Sequence, residues 1–263
     1  MSTYLALARM AFQRQLTYRA ATLAGFATNA FFGALRAYVL IALFGARPAV
    51  AGYSLPAAVT YTGLTQALIG YIALWGWLDL IRNIRSGDIA SDLSRPLGFV
   101  GYWLAQDIGR GTAQMALRGL PMMLLYALFY PILLPPSALH WLALVPSLAL
   151  ALVVSFGWRL VYSLAAFWSS DAVGVARFAT TLTVFLSGFL MPVAFMPDWM
   201  IALMRLTPFP AMVNTPIEIY LGLLDGPGLL VALGEQLLWA VILIAAARLV
   251  LRAGVRKLVI QGG

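Results

Sequence analysis

Apolar and polar positions fall in long blocks along this chain rather than alternating residue by residue. Nearly unbroken apolar runs cover about 20–44, 57–80, 102–134, 141–168, 175–191 and 229–251. At ~1.5 Å per residue, about 20 such residues cross the roughly 30 Å of bilayer hydrocarbon, so each run predicts a membrane-spanning helix. Short polar segments separate them: GARPAVAGYSLP at 45–56, PPSALH at 135–140 and SSDAVG at 169–174. Ahead of the first run, residues 2–18 set Leu5, Ala8, Phe12 and Leu16 three or four apart, with Arg9, Gln13 and Arg14 elsewhere on the wheel. That pattern predicts an amphipathic helix lying along the membrane surface; the alternative is a frayed start of the first span. Residues 192–228 differ in kind, with six prolines among apolar pieces too short to cross. Short helices in the interface, or dipping in and back, fit that stretch. No internal repeat, low-complexity tail or soluble domain interrupts the chain. The expected fold is therefore all-α: one polytopic membrane domain over 1–263 with six transmembrane helices.

The main exception to this greasy pattern is IRNIRSGDIASDLSRPLGF at 81–99, an island of five ionisable side chains between the second and third runs. Ser86 or Asp88 can cap a helix start there, acidic residues in the first turn suit the helix dipole, and Pro96 stops the helix. Ile89 and Leu93 share one face, while Asp88 and Asp92 share another and repel each other unless Arg85, Arg95 or an outside group offsets them. A helix of two turns is marginal alone, so it needs a docking surface, either lipid headgroups or a second protein. A solvated connector is the plain alternative.

Composition agrees: 62% of the 263 residues are hydrophobic and 10% charged, far from a soluble domain. The 17 Lys and Arg against nine Asp and Glu would suggest nucleic acid in a soluble protein. Here they sort by membrane side instead. Placing both termini in the cytoplasm puts Arg9, Arg14, Arg19, Arg82, Arg85, Arg95, Arg177, Arg248, Arg252, Arg256 and Lys257 inside, against Arg47 and Arg205 outside. The island then faces the cytoplasm and 192–228 faces outward. Three arginines precede the first run and no small-residue cleavage site follows a short apolar core, so a cleaved signal peptide is not expected. The chain has no Cys and one His, which removes disulfides, thiol nucleophiles, thiolate metal sites and imidazole clusters.

Charges inside the runs call for explanation. Asp107, Arg110, Gln114 and Arg118 follow one helix face, and an Arg at the bilayer centre costs ~2.5 kcal/mol or more on insertion scales. Such a stripe can line a watery groove or face a second membrane subunit, binding headgroups or carboxylates. Because the third run is longer than the membrane, Asp107 and Arg110 can instead stand in the cytoplasmic interface, and this is the reading taken. Arg118 is the member most expected to matter, with Pro121 bending the helix beyond it. Arg36 and Arg159 are expected to snorkel. Trp75, Trp77, Trp103, Trp141, Trp168 and Trp199 fall near span ends as interfacial anchors. Ala20, Ala24, Gly25 and Thr28 give the first span a small-residue face, and Asn29 can bond across it.

GDIASDLSRPL at 87–97, SGFLMPVAFMPDWMIALMRLTPFPAMVNTPIEIYLG at 187–222 and the six-run layout together resemble the permease subunit of type 2 ABC exporters, the ABC-2 membrane family, over nearly the whole chain. The resemblance implies that the loop after the second span is a coupling helix seated in a cleft of a cytoplasmic ATPase. Gly87, Asp88, Ile89, Asp92, Leu93, Arg95 and Pro96 would make that contact. The N-terminal helix, around Phe12, Arg14 and Arg19, corresponds to a connector helix, and Gly188, Pro192 and Pro197 correspond to an outer gate of short re-entrant helices. The resemblance further implies two soluble ABC ATPase subunits and a second permease subunit, identical or related, in the cytoplasmic (inner) membrane. The chain has no GxxxxGK[ST], so ATP and Mg belong to the partner and no cofactor, metal or catalytic residue is assigned to this chain. Its few fixed charges suit an amphipathic or hydrophobic cargo such as a drug, lipid-like molecule or glycoconjugate. The competing classes are a membrane enzyme, for which Asp198, Glu218, Asp225, Glu235 and His140 show no acid/base pairing in sequence, and a channel or assembly protein without ATP coupling.

Overall fold

The computed structural model of the protein describes residues 3–45, 47–75 and 77–257. Ser2, Ala46, Gly76 and residues 258–263, from the expected surface helix, first loop, second span and C-terminal tail, lie outside the described residues. Helix α1 (Thr3–Thr17) ends at Tyr18, whose backbone (φ −92°, ψ 54°) leaves the helical region, and α2 (Arg19–Phe44) follows directly. The amphipathic helix is thus present, but it is seated on protein. Tyr4 meets Gly101, the Ala8 backbone meets Gly109, and Gln114 donates to Gln15 Oε1 at 2.8 Å. It therefore runs parallel to α6 (Phe99–Gln114), where the missing side chain of Gly109 lets the two backbones touch.

The first loop holds a two-stranded ribbon, β1 (Ala49–Val50) antiparallel to β2 (Tyr53–Ser54), with Val50 opposite Tyr53. Ser54 then caps α3 (Leu55–Tyr71) by accepting from the Ala57 amide at 3.3 Å, and Pro56 suits its first turn. The expected second span over 57–80 is corrected here: α3 stops at Tyr71, and the chain passes through Ala73 at φ +48° before α4 (Asp79–Ser86) and α5 (Ile89–Leu93). The third run is one long helix, α6, a π-helical turn (Met115–Gly119) and α7 (Leu120–Phe129). The expected disturbance near Pro121 is this π turn, which lies just ahead of the proline.

Helix α8 (Ala138–Ser163) runs on through a 3-10 turn (Leu164–Phe167), and α9 (Ala172–Leu186) begins with Asp171 accepting from the Gly174 amide at 2.9 Å. The 192–228 stretch folds as expected into short pieces, the 3-10 turns Val193–Phe195 and Pro210–Met212 with α10 (Asp198–Arg205) and α11 (Asn214–Tyr220). Helix α12 (Pro227–Val255) closes the bundle against α8. Among the described residues, α2, α8 with its 3-10 turn, and α12 are long and apolar enough to cross a membrane. At ~1.5 Å per residue α3 and α9 reach only about 25 Å or less.

Two apolar clusters matter for function. One joins α3, α8 and the 192–228 helices through Tyr61, Leu68, Ile72, Leu152, Met212 and Ile217. The other, beyond the C-terminal end of α3, gathers Trp77, Leu80, Ile89, Trp103, Phe156 and Leu160 beneath α4 and α5. Trp77 and Trp103 are thus core residues, their rings 5.9 Å apart, and not the interfacial anchors expected of them; Trp75, Trp141, Trp168 and Trp199 are exposed.

Candidate coupling, clamp and gate sites

The island folds into two short helices that dock on their own chain. Leu80, Ile81 and Ile84 bury the inner face of α4, and Gly87, at φ +84°, turns the chain sharply into α5. Ser86 donates to Asp88 Oδ2 at 2.6 Å, tightening that turn. Arg85 donates to the Ser170 carbonyl and ties α4 to the α8–α9 connection. On α5, Ile89 is fully buried and Asp92 is 5% exposed. Asn83 donates to Asp92 Oδ2 at 3.3 Å, and Arg95 pairs with Asp92 Oδ1 at 3.3 Å while lying 4.5 Å over the Tyr102 ring. The repulsion foreseen between Asp88 and Asp92 is avoided because Asp92 turns inward to Asn83 and Arg95. Of the seven residues expected to meet an ATPase, Ile89 and Asp92 face the bundle and Leu93 is half-buried, whereas Gly87, Asp88, Arg95 and Pro96 are exposed, with Ala90, Ser91 and Ser94 beside them. Of the connector residues, Phe12 is half-buried and Arg14 and Arg19 are exposed.

The interior charges form a clamp around the early end of α3. Arg110 donates to the Gly70 and Tyr71 carbonyls at 2.5 and 2.9 Å, and Ser155 donates to the Ile72 carbonyl at 2.7 Å. These are the carbonyls a helix leaves without partners at its C-terminus, where a cation is also favoured by the dipole. Asp107 orients the clamp: it pairs with Arg110 Nε at 2.8 Å and accepts from Arg159 at 2.6 and 3.1 Å. Arg159 also lies 4.9 Å over the Trp77 ring. Asp107 and Arg159 are 2% and 3% exposed, so the interfacial reading of Asp107 and Arg110 and the snorkelling of Arg159 are both overturned. The guanidiniums stay inside because carboxylate, carbonyls and an indole face replace water. Arg36 does not snorkel either; it donates to the Phe189 carbonyl at 3.0 Å and lies 4.3 Å over that ring. Asn29 does bond across a helix interface, to the Gln66 carbonyl at 3.2 Å. Gln114 and Arg118 line a cleft beside α1 and α2 that Arg110 and Gly70 of the clamp also border.

At the opposite end, Gly188 sits at φ +81°, where a side chain would be strained and would meet the Tyr61 hydroxyl. Tyr61, in the N-terminal half of α3, donates to the Gly188 carbonyl or Asn214 Oδ1, at 2.8 and 2.9 Å. Asn214 Oδ1 also accepts from the Val193 amide at 3.1 Å, just after buried Pro192, while Pro197 is exposed ahead of α10. Nearby, Tyr53 donates to Glu218 Oε1 at 3.5 Å. Burial raises the Glu218 carboxyl above the ordinary glutamate range, with Asn214, Arg205 and Tyr53 opposing. Tyr61 and Asn214 were not identified from sequence; only the placement of a Tyr and an Asn within otherwise apolar segments marks them.

Of the acidic groups weighed for enzymatic chemistry, Asp225 alone pairs with His140, Nε2 to Oδ1 at 3.2 Å, while Ser137 meets His140 Nδ1 at 2.8 Å. This Ser–His–Asp row was not foreseen. Nε2 also lies 3.2 Å from the Leu224 carbonyl, Ser137 precedes the first turn of α8, and Asp225 is largely exposed. The row pins the start of α8 to the turn after α11. No group of three or more His, Cys, Asp or Glu placed to hold a metal occurs among the described residues.

A family model described as ABC-2 family transporter protein matches residues 31–262. No curated protein and no solved structure matches the chain. With nearly the whole sequence inside that match, and with helices able to cross a bilayer, the chain belongs to the ABC-2 family of membrane transporter proteins, as a permease subunit.

Proposed function

We propose that the chain is the membrane-spanning subunit of an ATP-driven exporter, worked by a separate ATPase that grips the exposed face of α4–α5. The observation that carries this is the two-sided island: its apolar side is pinned to the bundle by Leu80, Ile84 and Ile89, and its free side presents Gly87, Asp88, Ser91, Ser94, Arg95 and Pro96. A solvated connector has no use for that anchoring. Two ATPase subunits bring ATP and Mg, and a second permease, identical or related, completes the pathway. No nucleic acid is involved. Six crossings in the cytoplasmic membrane, with both termini and the island inside, agree with the basic residues and with connectivity. The α8–α9 connection joins the island end through Arg85, and the ribbon packs with the 192–228 pieces through Tyr53 and Phe195.

Movement passes along α3. Its inner end is held by Arg110 and Ser155, close to the aromatic cluster under the island, and its outer end carries Tyr61 to Gly188 and Asn214. A push on α5 reaches the outer segment through one rigid helix with a hydrogen-bonded catch at its far end. Gly188, Pro192 and Pro197 then act as the outer gate, and α1, around Phe12, Arg14 and Arg19, supports the contact from the side. The cargo is amphipathic or hydrophobic. Replacing Tyr61 with Phe tests the link: transport falls while the ATPase stays bound. Loss of ATPase binding would contradict this division of labour.

A further inference from the structure

Arg118 stands apart from the other interior cations. Arg110 and Arg159 share Asp107, and Arg36 has a carbonyl and a ring. Arg118 pairs with no carboxylate among the described residues; Gln114 Oε1 lies at 3.4 Å, and its own Nε is buried without a partner. It sits in the π-helical turn Met115–Gly119, roughly two thirds of the way along a continuous helix from Phe99 to Phe129. At ~1.5 Å per residue either end lies more than about 15 Å away, too far for a snorkelling head to reach.

The guanidinium borders a cleft of about 440 Å³ between α1, α2, α6 and the end of α3, lined also by Gln15, Asn29, Gly70, Trp75, Gln114 and the paired Arg110. Gly25 makes room for the guanidinium itself, since a Cβ there would lie 2.6 to 2.8 Å from its atoms. Asp79 lines the same cleft but pairs with Arg82. A guanidinium left without an anion in an apolar helix bundle, seated over a glycine at the edge of a cleft and with amides at its side, is built to receive a planar or tetrahedral oxyanion.

We propose that this cleft binds the anionic group, phosphate or carboxylate, of an amphiphile whose apolar part lies against the surrounding helices. The inference needs neither ATP coupling nor the direction of transport. It is tested on the purified full chain in neutral detergent by titrating dodecyl phosphate, dodecylphosphocholine and inorganic phosphate and following bound species by native mass spectrometry. Dodecyl phosphate is expected to bind at least about tenfold more tightly than either of the others. Arg118→Gln and Gly25→Leu should each weaken it by about tenfold, and Arg118→Lys, which keeps the charge without the fork, should weaken it less. Unchanged thermal melting identifies the variants that remain folded, and the Lys variant carries the test if Gln does not. A second arm measures phosphatidylglycerol that co-purifies from the native membrane and whether added dodecyl phosphate displaces it, which distinguishes a resident lipid from a free amphiphile at the same anion site. Equal binding by all variants, or inorganic phosphate binding as tightly as dodecyl phosphate, would overturn the proposal.

Discussion

At the scale of single residues, the charges inside the bundle are explained by what each one replaces. Arg110 supplies the hydrogen bonds that α3 loses by ending at Tyr71, and Asp107 neutralises both Arg110 and Arg159. Removing the shared carboxylate leaves two buried guanidiniums facing each other, so Asp107→Asn should cost about 3–5 kcal/mol, read as a lower thermal midpoint in detergent. Combining it with Arg159→Met should recover part of that loss. Most of this was not legible in the sequence, because Arg159 and the α3 carbonyls belong to helices far along the chain from Asp107 and Arg110. The Asp107–Arg110 spacing alone was visible, and it fits a surface stripe equally well. Glu218 offers a pH test. Its carboxyl is raised by burial among Tyr53, Asn214 and Arg205, with Glu235 lining the same cavity, so the folded state holds its proton more tightly than the unfolded one. That contribution is full below the ordinary value near 4.5 and is lost as pH rises through the raised value. Amide exchange over 210–222, corrected for intrinsic rates, should therefore show protection falling with rising pH, and Glu218→Gln should flatten the trend. Protection that rises instead would refute the assignment.

At the scale of elements, hydrophobic blocks located the long helices well, because a membrane helix needs little beyond length and greasiness. Those blocks missed where helices stop. The second run stays apolar through Leu80, yet α3 ends at Tyr71, where the amides of Ile72, Ala73 and Leu74 serve the Leu68, Gly70 and Ile69 carbonyls and the distant Arg110 and Ser155 reach those of Tyr71 and Ile72. The amphipathic pattern of α1 was legible, but its contact with α6 was not: an apolar stripe fits lipid and protein alike, and Gly109, which admits the α1 backbone, lies in another helix. Gly109→Val should push the Ala8 backbone off α6. Faster proteolysis within 3–17 and loss of a Gln15→Cys to Gln114→Cys cross-link are the expected readouts, and an intact cross-link would show that α1 is held otherwise. For the gate, Tyr61→Phe removes a buried hydrogen bond worth about 1–3 kcal/mol and should loosen 187–196 selectively.

At the scale of the whole molecule, two clusters adjoin at the C-terminal end of α3: the aromatic bed under the island, and a larger one that follows α3 to the hydrogen-bonded 187–222 segment. The location and polarity of the island were plain from its charges. Its sidedness was not, since Asp88 and Asp92 look equivalent in sequence and only the fold turns Asp92 and Ile89 inward. Under the proposed function the contact with an ATPase would fall to Asp88, Ser91 and Arg95, with the inward pair holding the helix in place. The chain lacks cysteine, so single introduced thiols report cleanly. The most direct measurement combines charge reversal on the free face, Asp88→Lys with Arg95→Glu, with affinity purification of the tagged permease from its native membrane. The account predicts normal membrane insertion, a Ser91→Cys thiol labelled only from the cytoplasmic side, and co-purified ATPase reduced about tenfold or more. Undiminished ATPase on the reversed face, or labelling of Ser91→Cys from the outside, would contradict it.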